Sequence, residues 1–98
     1  MFVRIVKMTF RPESTEVFIN FFEEYKLQIR NAAGCQYLQV LQDKNQPNII
    51  FSYSHWTTEA HLDDYRKSEL FQKIWPRTKE LFLEAPEAWT TNILHDFS

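Results

Sequence analysis

Apolar and polar positions along the chain predict four strands and two helical regions. Residues 2–10, 35–43, 49–56 and 87–95 are rich in β-branched and aromatic types, which favours strands. After the first strand, apolar residues recur every three or four positions, as on one helical face: Val17, Phe18, Phe21, Phe22, Tyr25 and Ile29. The order β-α-β-β-α-β predicts a ferredoxin-like α+β fold, with one antiparallel sheet and the helices on one of its faces.

Capping residues predict where the helical regions begin and end. Pro12 and the hydroxyls after it favour a helix start, and the only glycine, Gly34, favours its end. Thr57 or Thr58 caps the next helix, and Ser68 is typical of a further cap. The helical stripe that follows is apolar at Leu70, Phe71, Ile74, Trp75, Leu81 and Phe82.

The strands carry apolar residues on both faces. In the first strand Phe2, Val6 and Met8 share one face, while Val3 and Ile5 share the other. A sheet with one wet face alternates apolar with polar residues, and the helices cover only one face. The pattern therefore predicts a homodimer through the remaining sheet face. Aspartate at Val6 would weaken this dimer if the even-numbered face is the shared one.

Composition narrows the class of protein. The 98 residues predict a single domain, 1–98, and 11 basic against 13 acidic residues leave a net charge of −2. That balance provides no field for nucleic acid or an anionic membrane. The lone Cys35 excludes an internal disulfide, and the charged N-terminal residues do not resemble a signal peptide. We therefore expect a cytoplasmic protein.

Four short motifs carry a family resemblance. The chain contains AGC at 33–35, FSYSHW at 51–56, TEA at 58–60 and SELF at 68–71. In this arrangement the whole chain resembles the antibiotic biosynthesis monooxygenase (ABM) family, within the dimeric α+β barrel superfamily. The resemblance implies a homodimer whose sheets pack face to face into a barrel, with a pocket between sheet and helices in each subunit. Relatives include cofactor-free quinol and anthrone monooxygenases, haem-degrading enzymes and members without known activity.

The resemblance also bears on cofactors. The haem-degrading branch has an asparagine, a tryptophan and an iron-ligating histidine at positions that fall here on Lys7, Tyr65 and Trp75. We therefore expect no haem. The three histidines lack metal-ligand spacing, and no phosphate-binding glycine loop is present, so we expect no metal or other cofactor.

Two residues are candidate catalytic groups. His55 has a side chain whose ordinary pKa suits proton abstraction from a phenol, and Lys7 lies on an apolar strand face where a charge is unexpected. The alternatives are a solvated histidine at a strand end and a lysine that extends to the sheet edge. Candidate substrate-binding residues, or alternatively core residues, are the aromatic side chains Tyr53, Tyr65, Trp75 and Phe71.

These residues predict a cofactor-independent monooxygenase that oxidises a small phenolic or hydroquinone-type substrate. The alternative is a non-enzymatic dimer of the same fold that binds a small hydrophobic ligand. The two hypotheses differ in whether a polar proton acceptor faces an enclosed apolar cavity.

Overall fold

The computed structural model describes residues 1–97, and within them the strands form one antiparallel sheet. The sheet order is β2-β3-β1-β4, so β2 and β4 are its free edges. The strand bounds are β1 Phe2–Thr9, β2 Cys35–Gln42, β3 Ile49–Trp56 and β4 Glu87–Asn92. This is the ferredoxin-like α+β topology predicted from the sequence.

Helices follow β1 and β3, as the hydrophobic periodicity predicts. After a 3-10 turn over Pro12–Ser14 come the α-helices, which are α1 Thr15–Arg30, α2 Glu59–Arg66 and α3 Glu69–Lys79. The predicted caps Thr58 and Ser68 are confirmed: their hydroxyl oxygens accept from the backbone N–H groups of His61 and Phe71, each at 3.2 Å. Each cap satisfies one of the unpaired amides at a helix N-terminus.

Two predicted helix boundaries were wrong. α1 ends at Arg30, four residues before Gly34, which instead has a φ of +86° in the turn that leads into β2. A Cβ at this glycine would lie 2.3 Å from the His61 side chain, so both backbone and space require glycine there. Phe82 lies beyond the end of α3, where it forms a single bridge with Phe10.

One face of the sheet, here called the covered face, packs against the helices. It carries the even-numbered residues of β1 and β3, including Phe2, Met8, Ile50 and Trp56, which are 2–6% exposed. Aromatic rings at centroid distances of 4.4–5.7 Å form a continuous chain through this core: Trp56, Tyr65, Phe71, Trp75, Phe82, Phe10, Phe18 and Phe22. Offset and edge-on contacts of this kind stabilise beyond the area that they bury.

The opposite face of the sheet, here called the open face, has no helix against it. The strand register assigns to it Val3, Ile5, Lys7, Tyr37, Gln39, Leu41, Phe51, Tyr53, His55, Glu87, Trp89 and Thr91. Val6 lies on the covered face and packs in the core around Met8 and Phe10, so the even-numbered face is not available to a second copy. The homodimer prediction therefore applies only to the odd-numbered face.

No helix within residues 1–97 is both long enough and apolar enough to cross a membrane.

Candidate functional site

Three aromatic side chains meet on the open face, near the edge formed by β2. The His55 ring lies 5.2 Å from the Tyr37 ring and 5.3 Å from the Tyr53 ring, measured between centroids. The two tyrosine rings stand edge to face at 6.2 Å. Together with Met1, Gln36 and Gln39 they line a concavity of about 620 Å³ that is open to solvent on one side. The predicted pair of Tyr53 and His55 is therefore together in space.

A β-bulge places Tyr37 in this site. Cys35 pairs with Trp56, but Tyr37 already pairs with His55, so β2 carries one extra residue, Gln36, at this point. Residues two apart on a regular strand share a face, whereas the bulge turns Tyr37 to the face opposite Cys35. Tyr37 thereby becomes a neighbour of His55, which strand alternation alone does not predict.

The His55 imidazole contains a buried nitrogen that has no hydrogen-bond partner in the described part of the chain. Its Nε2 atom is buried and makes no hydrogen bond within residues 1–97. Buried polar atoms in native proteins are almost always hydrogen-bonded, because an unmet group loses its hydration without compensation. Depending on the tautomer, this Nε2 either donates or accepts a hydrogen bond, so it is a polar group that a ligand or a second chain would satisfy.

Lys7 lies on the same face but away from His55. In the β1–β3 register Lys7 faces Phe51, and His55 faces Val3. The four-residue offset along β1 corresponds to about 13 Å at the usual rise per residue. The Lys7 Nζ is 3.8 Å from the Glu87 Oε2 across to β4. The structure therefore does not bring Lys7 and His55 to the same proton of a small substrate.

The remaining candidate substrate-binding residues, Tyr65, Phe71 and Trp75, lie on the covered face. Tyr65 stacks on Trp56 at 5.3 Å, and Phe71 stacks on Trp75 at 5.7 Å. Burial raises the pKa of the Tyr65 hydroxyl far above its ordinary value, and the nearby Cys35 adds to this effect. The sheet separates these three rings from His55. They act as core residues, and no single pocket of one subunit contains all six predicted side chains.

A second cavity lies on the covered face, between α1 and the adjacent strands β2 and β3. Its volume is about 300 Å³, and its walls on the covered face are mostly apolar: Phe18, Ile19, Phe22, Val40 and Ile50. Polar groups come from Gln42 and from Lys26, which is paired with Glu23. Sequence reasoning missed this groove because each apolar position on α1 and β2 is equally consistent with simple packing.

Comparison with known proteins identifies the chain's relatives. The family model described as antibiotic biosynthesis monooxygenase matches residues 1–77. No curated protein is similar enough in sequence to be matched.

Solved structures match nearly the whole chain. One described as an antibiotic biosynthesis monooxygenase has a TM-score of 0.91 at 17% identity, over 97% of this chain and 100% of its own. A conserved protein from Methanosarcina mazei Go1 has a TM-score of 0.87 at 25% identity, over 94% and 92%. The Rv0793 protein of Mycobacterium tuberculosis has a TM-score of 0.89 at 14% identity, over 99% and 98%. At these identities the likenesses concern the fold.

Proposed function

This chain belongs to the antibiotic biosynthesis monooxygenase family, and from that premise we propose that it is a cytoplasmic homodimer that oxygenates a small phenolic substrate without a cofactor. The substrate class is a phenol or hydroquinone, and we place the site in the concavity beside His55 on the open face, not in the pocket between sheet and helices that the family resemblance implies. The observation that carries the proposal is the buried, unpartnered Nε2 of His55 between two tyrosine rings.

The open face supports the homodimer. The chain exposes 6648 Å² of surface, whereas a monomer of this mass exposes about 5,950 Å² by the usual scaling. The surplus of roughly 700 Å² is close to the ~800 Å² that each partner buries in a standard interface. Exposed apolar side chains on the open face supply part of it, including Tyr37 at 41%, Leu41 at 43% and Trp89 at 45%.

A second copy on this face would also make the site chemically competent. In the subunit alone the concavity is open to water on one side. Closing it excludes water, which strengthens electrostatic interactions and protects reactive intermediates. The flanking rings of Tyr37 and Tyr53 provide apolar walls against which a flat phenol packs.

In the proposed reaction the substrate itself is the reductant of O₂. His55 Nε2 takes the hydroxyl proton of the phenol, and the phenolate gives one electron to O₂. The phenoxyl radical and superoxide combine at a ring carbon that carries hydrogen, which lies opposite the hydroxyl in a phenol and beside a hydroxyl in a hydroquinone, and the new peroxide takes the proton back from His55. Loss of water then removes the hydrogen on that carbon and leaves a quinone. One oxygen atom enters the product and the other becomes water, so no external reductant is consumed.

The test is oxygen uptake with 1-naphthol and a panel of hydroquinones and anthrones. We expect one O₂ per quinone formed, with no oxygen returned on adding catalase, because water rather than peroxide leaves. His55→Ala should lower turnover by about 10²–10⁴-fold, the usual contribution of a positioned base. His61→Ala is the matched control, since His61 lies on α2 and bonds to Thr58. Equal uptake by His55→Ala would remove His55 from the mechanism.

A second candidate function is the binding of a small hydrophobic ligand in the groove beneath α1. Its support is the apolar lining around Phe18, Phe22 and Ile50, where the acidic group, Glu23, is paired with Lys26. If no substrate consumes oxygen, 1-naphthol binding measured by fluorescence decides between the sites. Val40→Trp would then abolish binding at the groove, whereas His55→Ala would abolish binding at the concavity.

A further inference from the structure

Arg4 lies on the covered face of the sheet, between two clusters of buried apolar residues. On β1 it is flanked by Phe2 and Val6, which share that face with it. Phe2 packs in the core around Trp56, and Val6 packs in the core around Phe10. Arg4 itself is partly buried. A charged group in such surroundings costs free energy unless an opposite charge pairs with it.

No carboxylate within residues 1–97 forms an ion pair with the Arg4 guanidinium. The guanidinium donates instead to the hydroxyl of Thr90 on β4, with Nη1 2.7 Å from Oγ1. A guanidinium has five N–H donors, so most of its donors remain for solvent or a ligand. Burial lowers the pKa of this guanidinium, which reflects the cost of a charge that lacks an opposite partner.

A second cation faces Arg4 from α2. Arg66, in the last turn of α2, lowers the Arg4 pKa further, whereas the carboxylate of Asp63 raises it. In the described part of the chain Asp63 forms no ion pair with either arginine. Two guanidinium groups therefore repel each other beside one carboxylate, and the excess charge is positive. An anion bound between them would replace this repulsion with attraction.

The helices leave the covered face open along the edge strand β4. The strand register places Ala88, Thr90 and Asn92 on this face, and all three are exposed. Arg4 pairs with Thr90 in the same register, so it lies where the packed part of the sheet meets the open part. This place, formed by Arg4, Arg66 and Thr90, is here called the Arg4 site, and a ligand can reach it from the β4 side.

Aromatic rings border the Arg4 site on the β3 side. Arg4 pairs with Ser54 across the sheet, and the Ser54 hydroxyl oxygen accepts from the Trp56 indole N–H at 2.9 Å. Tyr65 stacks on Trp56, and Phe71 stands edge to face against Tyr65, each at a centroid distance of 5.3 Å. Tyr65 and Phe71 belong to the core, yet both are only partly buried. Their exposed edges give a flat apolar ligand a surface to contact beside the cations.

We propose that the Arg4 site binds the carboxylate of a planar aromatic acid, with Arg4 and Arg66 donating to its oxygens while Thr90 holds the Arg4 side chain in place. A guanidinium matches a carboxylate through two parallel N–H···O bonds. The aromatic border supplies the apolar contact that a small inorganic anion cannot use. The site lies on the face of the sheet opposite His55, and the proposal does not depend on the oxygenase chemistry proposed there.

Calorimetric titration with 2-naphthoate and its neutral analogue 2-naphthalenemethanol tests the role of the charge. We expect the acid to bind about tenfold more tightly or better. Arg66→Gln, a change at an exposed position, and Arg4→Gln should each weaken acid binding about 10–100-fold, the usual effect of losing a hydrogen bond to a charged group. Arg4→Lys should recover part of this loss, because it keeps the charge but not the planar fork.

The neutral analogue separates recognition of the charge from damage to the fold. Binding of the alcohol should be the same in the original chain and in both glutamine variants. Arg11→Gln is the matched control, since Arg11 is paired with Glu13 at the other end of β1, and it should leave acid binding unchanged. No binding of 2-naphthoate at millimolar concentration, or acid binding that both glutamine variants retain, overturns the proposal.

Two further titrations test the place and the ligand class. His55→Ala should bind 2-naphthoate as the original chain does, and a loss of binding would move the acid to the open face and overturn the proposal. Inorganic phosphate should compete only weakly, because it lacks an apolar part. Phosphate that binds as tightly as 2-naphthoate would overturn the assignment to an aromatic acid. None of these measurements uses oxygen uptake, so they succeed or fail separately from the oxygenase proposal.

Discussion

Trp89 gives the sharpest test of the open face as a subunit interface. It lies on the edge strand β4, opposite Ile5, and 45% of its surface is exposed in the single subunit. An edge position with a half-exposed side chain contributes little to the fold of one chain. Replacing it with serine therefore changes the interface more than the core.

The size of the effect follows from the exposed area. A tryptophan buries up to ~250 Å², so the exposed 45% corresponds to roughly 110 Å² that association can still bury. At ~25 cal/mol per Å² this is about 2.8 kcal/mol for each copy. A two-fold interface loses the contact twice, or about 5.5 kcal/mol, which weakens the dimer roughly 10⁴-fold.

Sedimentation equilibrium from 0.1 to 100 μM measures this change. We expect Trp89→Ser to be monomeric across most of that range, with a far-UV circular dichroism spectrum like that of the original chain. Leu27→Ser is the matched control, because Leu27 is 68% exposed on α1, away from the open face. A dimer constant for Trp89→Ser within threefold of the original value, or equal weakening by Leu27→Ser, would refute the assignment of the interface.

Two further predictions concern stability within one chain. Gly34→Ala should lower the free energy of unfolding by about 2–4 kcal/mol in urea, because the +86° φ and the overlap with His61 both oppose a Cβ. Because the His61 Cβ itself lies 2.3 Å away, His61→Gly should recover part of this loss, and full tolerance of alanine at position 34 would contradict the packing. Burial raises the pKa of Tyr65, so the protonated side chain contributes to the free energy of unfolding. This contribution is fully present below the unfolded pKa of ~10 and decreases as the pH rises above that value. Urea titrations between pH 9 and 11.5 should show stability falling with pH, and Tyr65→Phe should flatten that fall; an equal slope in the variant would assign the effect elsewhere.

The architecture was predictable because local signals agree with one another. Period-two strands, period-three-to-four helices and the hydroxyl caps Thr58 and Ser68 all indicate the same order of elements. The apolar residues on both strand faces indicated that one face of the sheet has no layer packed against it within the chain. The pattern did not show which face of the strands packs against the helices. Only packing against α1 decides that Val6 lies in the core and Ile5 on the open face.

The candidate site was less predictable because its geometry depends on register. The pairing of Tyr53 with His55 follows from strand alternation, and the structure has them 5.3 Å apart. Tyr37 joins them only through the extra residue at Gln36, and a bulge has no reliable signature in a single sequence. The distance between Lys7 and His55 likewise depends on which residues of β1 and β3 face each other.

Aromatic residues on the two faces illustrate why residue type alone did not define the site. Tyr65 and Trp75 occupy a continuous chain of rings whose partners fill the space around them, so their contacts already account for them. Tyr37 and Tyr53 have rings on one side and solvent on the other, beside an imidazole nitrogen without a partner. Unmet hydrogen bonding and unburied apolar surface at one place are what distinguish a binding surface from a core. The unpartnered imidazole nitrogen and the exposed apolar surface both lie on the open face, which a second chain would cover. We therefore propose that the substrate site and the subunit interface share this face.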